Sequence, residues 1–448
     1  MAVDDASASD VTIIGGGLAG CEACWRALAN GLKVTLWEMK PKKFSPAHIN
    51  PNLAELVCSN SFRADDPKNA VGLLKEELRL LGSLVMSVAD LTKVPAGRAL
   101  AVDREEFSRL VTEKLTAAPN LTIIREEFTP PFPFEQIIVV AAGPLASDGL
   151  TNELKRLAGS ENLHFYDALA PIVAFESLNL QKIFAADRYG EPGQGDYLNC
   201  PLTKDEFMVF YDALTQADRT SPRPFENMKF FEGCLPIEVM AARGEKTLTF
   251  GPMKPVGLTD PRTGRKPYAV VQLRRENPQA SSWNMVGFQT RLTRASQDKV
   301  FRLIPGLENA EFSRYGAIHR NTYLQAPQVL DQYQRLKLFP TIFLAGQISG
   351  VEGYVESAAQ GLWAGENASR MALGKRPLEP PRDTALGSLL SHLKGYGPPS
   401  SFAPSNVNFG LFPSPPPAIH KRDHSSWRLA QARDAWPSFL EEIGYERH

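Results

Sequence analysis

The chain has 448 residues, a length that favours two or three structural units over a single small core. Its 43% hydrophobic and 22% charged residues describe an ordinary soluble globular protein, and no apolar run approaches the length of a membrane span. A formal net charge of −1 and a pI near 6.7 exclude any global pull toward nucleic acid or membrane, so such binding must come from a local patch.

The opening residues, MAVDDASASD, are acidic and polar rather than basic then apolar. No secretory signal is visible, and a cytoplasmic location is the expectation. Residues 11–38 then read as strand, glycine turn, helix and second strand, a dinucleotide-binding βαβ unit. Val11 to Ile14 suit a buried parallel strand. Gly15, Gly17 and Gly20 fill a G-x-G-x-x-G pattern, with Gly16, Leu18 and Ala19 between them. The first glycine turns the chain, the second admits a pyrophosphate, and the third lets helix pack on strand. The phosphates then sit at the helix N-terminus. Glu38 closes the second strand eighteen residues beyond Gly20, where a carboxylate accepts from an adenosine ribose hydroxyl. This turn alone does not separate FAD from NAD.

Cys21 and Cys24 form a C-x-x-C on that helix. Packing explains them better than redox or zinc chemistry, because no second cysteine pair completes a tetrahedral site; no metal is expected. Residues 40–70 read as a long polar loop, and a loop of that length inside a compact domain is either disordered or functional. Cys58 sits in it beside Asn60, Ser61 and Arg63, where a cation and amides favour a thiolate, although a small packing residue is the default reading. An amphipathic helix is expected over Val71 to Leu84, and another opened by Asp103 as N-cap. The strand-like runs LTIIREEF and IIVVAAGP complete the sheet around the βαβ unit, the latter ending in glycine and proline as a buried strand does at a cofactor edge.

Residues 165–315 change character, with short strands, aromatics, prolines and one helix-like piece, TKDEFMVFYDALTQA. They read as an inserted α+β domain presenting the substrate surface. It carries Cys234, between Gly233 and a Leu-Pro turn, and the basic run of Arg262, Arg265, Lys266, Arg274 and Arg275. Such a run is a solvated face as readily as a nucleic-acid contact. The chain returns to the cofactor domain near residue 316. Residues 341–373 give a strand, a second glycine-rich turn with Gly346, Gln347 and Gly353, and a helix rich in small residues. A glycine turn at each end of the chain suits a large two-part cofactor and tips the choice to FAD. Tyr354 either lies against the flavin ring or packs the turn. His48 and His319 receive no catalytic role. Beyond Gly374 the proline-rich tail is expected to lie across the body rather than form core. The units expected are therefore 11–164 and 316–373 (cofactor domain), 165–315 (insert) and 374–448 (tail).

With these pieces in order, the sequence closely resembles the bacterial folate- and FAD-dependent tRNA (uracil-5-)-methyltransferases. The resemblance is carried by IGGGLAGCEA, AELVCSNSFRAD, VPAGRALAVDR, FFEGCLPIEVMAARG, LTFGPMKPVGL, FRLIPGLENAEFSRYGAIHRNTY and LAGQISGVEGYVESAAQGL, from residue 11 to residue 373. It implies a Rossmann-like α/β FAD-binding domain of the glutathione-reductase type with an inserted domain. It implies an enzyme that methylates C5 of the T-loop uridine, position 54, of tRNA. The carbon comes from 5,10-methylenetetrahydrofolate, reducing equivalents from reduced FAD, and FAD is reduced by NADH or NADPH. The two cysteines that matter in that family map onto Cys58 and Cys234. A thiolate must add to C6 of uracil to make C5 nucleophilic, and Cys234 is the expected nucleophile. Cys58 is then the base or a methylene-handling thiol. The resemblance raises the basic run to a tRNA phosphate contact, and no obligate protein partner is evident. The competing readings are a wobble-uridine tRNA-modifying flavoprotein, which would be longer, and a small-molecule flavin oxidoreductase.

Overall fold

A computed structural model describes residues 9–159, 163–188, 190, 195–220, 235–395 and 402–444. The run Val11–Ile14 (β1) is buried along its whole length and pairs in parallel with Val34–Trp37 (β2) on one side and Ile138–Val140 on the other. A strand covered on both faces reads as a continuous apolar run, and this one does. The full sheet has six strands in the order Arg335–Leu336, Phe339–Leu344, Ile138–Val140, β1, β2, Leu121–Ile124; all neighbours are parallel except the first pair. Helix α1 (Leu18–Ala29) and the late helix Tyr354–Ala372 pack together over this sheet. Their contact is backbone on backbone, because a Cβ added at Gly361 would lie 2.1 Å from the Ala19 carbonyl oxygen.

The insert is built on a second, antiparallel six-stranded sheet in the order Phe184–Ala185, Tyr197–Leu202, Ala269–Arg275, Ser282–Met285, Ile172–Ala174, Phe312–Arg314. It has a separate core that includes Phe207, Phe210, Phe288 and Phe301. The ribbon Leu163–Ala168 with Ile318–Tyr323 joins it to the parallel sheet. Four helices occur among its described residues: Lys204–Gln216, Ile237–Ala242, Glu245–Phe250 and Arg294–Phe301. The sequence reading expected one. The first shows because a capping box at Thr203 and Glu206 opens a long amphipathic run; the others span about two turns or fewer, too little for a 3.6-residue period to register.

Three further expectations change. The loop 40–70 contains the strand Ser61–Ala64, which pairs with Ala99–Val102. The helix expected over Val71 to Leu84 is two, Ala70–Leu80 and Leu84–Leu91, because Gly82 turns left-handed (φ 70°) and Ser83 caps the second. The tail does form core. Its helices Ala385–Leu393 and His424–Ile443 bury Leu386, Leu389, Trp436, Phe439 and Leu440 in the same cluster as the parallel sheet. The buried residues Ala432, Trp436, Phe439, Leu440 and Ile443 trace one helical stripe, a signal that the surrounding prolines obscured.

Candidate active site

The glycine turn is fixed from both sides. Gly15 (φ 105°) donates to the Trp37 carbonyl at 2.8 Å, and a Cβ there would sit 2.5 Å from the Ala141 oxygen. A Cβ at Gly20 would lie 1.8 Å from the Gly15 oxygen, whereas at Gly17 it would meet nothing within 4 Å. Gly17 therefore borders open space. It is also the N-cap of α1 and supplies no side-chain cap, so the first-turn N–H groups are left for an anion in that space. Glu38 is buried at the end of β2; one carboxylate oxygen accepts from Gly16 N at 2.8 Å and the other from Lys40 N at 2.9 Å. Each oxygen keeps a lone pair for a ribose hydroxyl.

These residues line a cleft with about 1120 Å³ of space between protein atoms, mouth included. Gly346, Gln347, Tyr354 and Ser357 close it from the late turn and helix. Gly346 (φ 80°) is held by Gln360, whose Oε1 accepts its N–H at 2.8 Å. Gly353 (φ 108°) is the N-cap of the late helix, and Gln347 donates to Glu352 at 2.8 Å. Two further stretches line the cleft: 141–147, which begins at the glycine-proline end of IIVVAAGP expected at a cofactor edge, and 126–128, which sequence reading did not single out, as it did not Lys40, Glu55 and Val57. Both stretches follow the carboxyl ends of parallel strands, where open α/β sheets place their ligands. His48 also lines the cleft; its Nδ1 is bound to Ser45 Oγ at 2.5 Å, and burial, then Lys40, holds its pKa below the ordinary value.

Near the cleft the Tyr354 oxygen accepts the N–H groups of Cys58 at 2.8 Å and Ser59 at 3.2 Å, and lies 3.0 Å from Cys58 Sγ. Burial pushes the phenol well above its usual pKa, so it is neutral, and its oxygen accepts from the Cys58 thiol as well as from the two N–H groups. Tyr354 thus both lines the cleft and braces the Cys58 turn. Arg104 holds the same turn from beneath, donating to the carbonyls of Leu56 at 2.8 Å and Val57 at 3.3 Å and pairing with Glu276 at 2.9 Å. Cys58 is half-buried, while Cys21, Cys24 and Cys200 are buried and their thiols pushed up by desolvation. The C-x-x-C pair accordingly packs α1. Cys234 lies outside the described residues.

The five basic residues do not form one patch. Arg265 and Lys266 are exposed on the turn 261–266, and Arg262 on the same turn is tied to Asp260 by a forked pair at 2.7 and 2.9 Å. Arg274 is buried and donates to Asn60 Oδ1 at 3.0 Å and Ser59 Oγ at 2.8 Å; it does not face solvent as a phosphate contact would. Arg275 lies over the Trp283 ring at 5.5 Å. Neighbours on a strand point to opposite faces, so a basic run that crosses into a strand is split.

A parallel sheet with glycine turns from both ends of the chain at one cleft, and a thiol held beside it, defines a flavoprotein with a Rossmann-like FAD-binding domain. Residues 10–376 match the family model described as glucose inhibited division protein A. The curated relatives include proteins named methylenetetrahydrofolate–tRNA-(uracil-5-)-methyltransferase TrmFO. That of Geobacter sulfurreducens is 55% identical, covering 94% of this chain and 96% of its own. Those of Syntrophus aciditrophicus (53%; 97% and 98%) and Pelotomaculum thermopropionicum (56%; 90% and 92%) match comparably. Among solved structures, Aquifex aeolicus GidA in its form I crystal superposes with a TM-score of 0.72 at 18% identity, covering 98% of this chain and 76% of that one. The chain belongs to the glucose inhibited division protein A family and, within it, to the methylenetetrahydrofolate–tRNA-(uracil-5-)-methyltransferases.

Proposed function

We propose that this enzyme transfers the one-carbon unit of 5,10-methylenetetrahydrofolate to C5 of a tRNA uracil, at the T-loop uridine, position 54. The observation that carries this reading is the Cys58 thiol, half-buried and braced by Tyr354 beside the dinucleotide cleft, in a chain 55% identical to a relative named for this activity. Bound FAD supplies the reducing equivalents, with NADH or NADPH as the external reductant. The first turn of α1, with Gly15, Gly16, Gly17, Leu18, Ala19 and Gly20, holds the pyrophosphate, and Glu38 takes the ribose. Gly346, Gln347, Gly353 and Tyr354 close the flavin end. Cys234 adds to C6 of the uracil and makes C5 a nucleophile. Cys58 takes the C5 proton or handles the methylene, and Tyr354 orients it by accepting from its thiol and its backbone N–H. Arg265 and Lys266, with Arg262 beside them, meet tRNA phosphates. The reaction belongs in the cytoplasm and needs no protein partner; among the described residues no helix is long and apolar enough to cross a membrane.

The direct test supplies labelled methylenetetrahydrofolate and tRNA to the FAD-loaded protein and analyses the T-loop nucleoside by mass. Label in 5-methyluridine is expected; NAD(P)H oxidation without tRNA methylation would replace this reading with a small-molecule oxidoreductase. Cys234→Ala should abolish covalent capture of 5-fluorouridine tRNA and leave the yellow cofactor bound. Capture by the alanine protein moves the nucleophile elsewhere, with Cys58 the next candidate.

A further inference from the structure

We propose that Arg274 is a positioning residue for Cys58, through which the seating of the insert on the cofactor domain sets the thiol's geometry. The proposal rests on the reading that Cys58 takes part in the chemistry. Arg274 comes from the insert's central strand Ala269–Arg275, yet its guanidinium ends on the cofactor domain, on Ser59 Oγ and Asn60 Oδ1. These are the two residues that follow Cys58. Asn60 completes the tie in both directions, its Nδ2 donating to Val102 O at 3.0 Å in the cofactor domain and to Arg275 O at 3.1 Å in the insert. On the other side of the thiol, Arg104 of the cofactor domain holds Leu56 and Val57 and pairs with Glu276 of the insert. The turn carrying Cys58 is therefore gripped before and after the sulfur by two arginines, each spanning the seam between domains.

The seam continues past Arg274. Tyr197 donates to Ala96 O at 3.2 Å, and Asp196 accepts from Gly97 N at 2.7 Å. A Cβ on Gly97 would touch the Tyr197 ring at 3.4 Å. Ala96 and Gly97 belong to the VPAGRALAVDR stretch, which also supplies Arg104; this gives that motif a role that cofactor contact does not. A buried guanidinium is costly unless its donors are met, and here Ser59 and Asn60 of the Cys58 turn take two of the bonds while Tyr197 of its own domain adds a third partner. A planar fork reaching two acceptors at once fixes orientation as well as distance, which an ammonium does not.

The test compares Arg274→Gln, Arg274→Lys, Ser59→Ala and Asn60→Ala in FAD-loaded protein. It reads kcat, tRNA affinity against salt, bound flavin, and the rate of iodoacetamide labelling at Cys58 located by mass analysis. The labelling needs no turnover, so it speaks even if the proposed reaction fails. R274Q should lower kcat about 10- to 100-fold, the loss expected when a reacting group is misplaced by about 1 Å. It should also change Cys58 labelling at least about threefold, with tRNA affinity and its salt dependence unchanged. R274K should recover only part of kcat. Unchanged kcat and labelling in R274Q overturns the proposal. So does weakened tRNA binding with a salt slope shallower by about one and unaltered labelling, which would make Arg274 a phosphate ligand. Should R274Q fail to fold with flavin, S59A, which removes the Arg274 bond together with the one Ser59 Oγ accepts from Ser61 N, and R274K carry the same comparison.

Discussion

Gly361→Ala isolates the contact on which the cleft depends. The new Cβ would meet the Ala19 oxygen at 2.1 Å and the Ala19 Cα at 2.5 Å, against ordinary contacts that begin near 3.4 Å. Both obstacles are backbone, so no rotamer change relieves them and the late helix must move off α1 by roughly 1 Å, a forced overpacking that costs about 1–3 kcal/mol. Alanine's better helix propensity returns about 1 kcal/mol. At the upper end of that range the net loss is about 2 kcal/mol. Ala19 is in the first turn of α1, so the shift also tilts the N–H groups assigned to the pyrophosphate; a loss of about 1.4 kcal/mol there is a tenfold weaker FAD. Gly149→Ala is the control. Gly149 is helical and exposed, and its added Cβ meets nothing within 4 Å, so propensity acts alone and stability should rise by about 0.5–1 kcal/mol. Urea titrations following flavin release and far-UV dichroism, with FAD affinity from fluorescence quenching, measure both variants. A G361A protein that matches the parent in midpoint and FAD affinity would show that the helices are not packed through these backbones.

Three other expectations follow from single contacts. Tyr354→Phe leaves the Cys58 and Ser59 N–H groups without their acceptor, an unmet-donor cost of about 1–3 kcal/mol, so methyl transfer and Cys58 labelling should change while FAD remains bound; unaltered kinetics would remove the phenol from the site. Glu22 and Glu77 are fully buried, and burial outweighs the hydrogen bonds each accepts, raising both from 4.5 to about 7. For a raised carboxyl the folded state binds the extra proton, so each contribution is present below pH 4.5 and lost as pH rises toward 7, roughly 3 kcal/mol per group. Glu77→Gln should flatten that fall in a series of denaturation curves, and an unchanged slope would refute the assignment. Replacing Arg265 and Lys266 by Gln should weaken tRNA binding and reduce its salt slope by about two, read by filter binding; a slope equal to the parent's would take the turn out of the interface.

The parts of the site that were legible in the sequence are those whose geometry is local. Gly15 and Gly20 announce a turn because a side chain at either would collide with backbone, Gly17 leaves the space beside it open, and Glu38 is reached by counting along one strand. The glycine-proline end of the run IIVVAAGP marks 141–144 as a cofactor edge, whereas 126–128 is placed in the cleft by strand order, since β2 pairs with Leu121–Ile124 although the strands Ser61–Ala64 and Ala99–Val102 lie between them in the chain. No short-range pattern encodes that adjacency. Arg274 shows the same limit from the other side. Its neighbours in sequence are basic and its composition suggests RNA, but its environment is decided by a residue 214 positions away, Asn60. The tail shows a related limit: its prolines are local and visible, whereas the groove that receives Trp436 and Phe439 is assembled from distant helices. A charged side chain in a strand at a domain seam is therefore better assigned by asking which backbone it can reach across the seam than by the charges beside it. Applied here, that rule takes Arg274 out of the solvent-facing set and puts it on the turn that holds Cys58, which Arg104 grips from the other side.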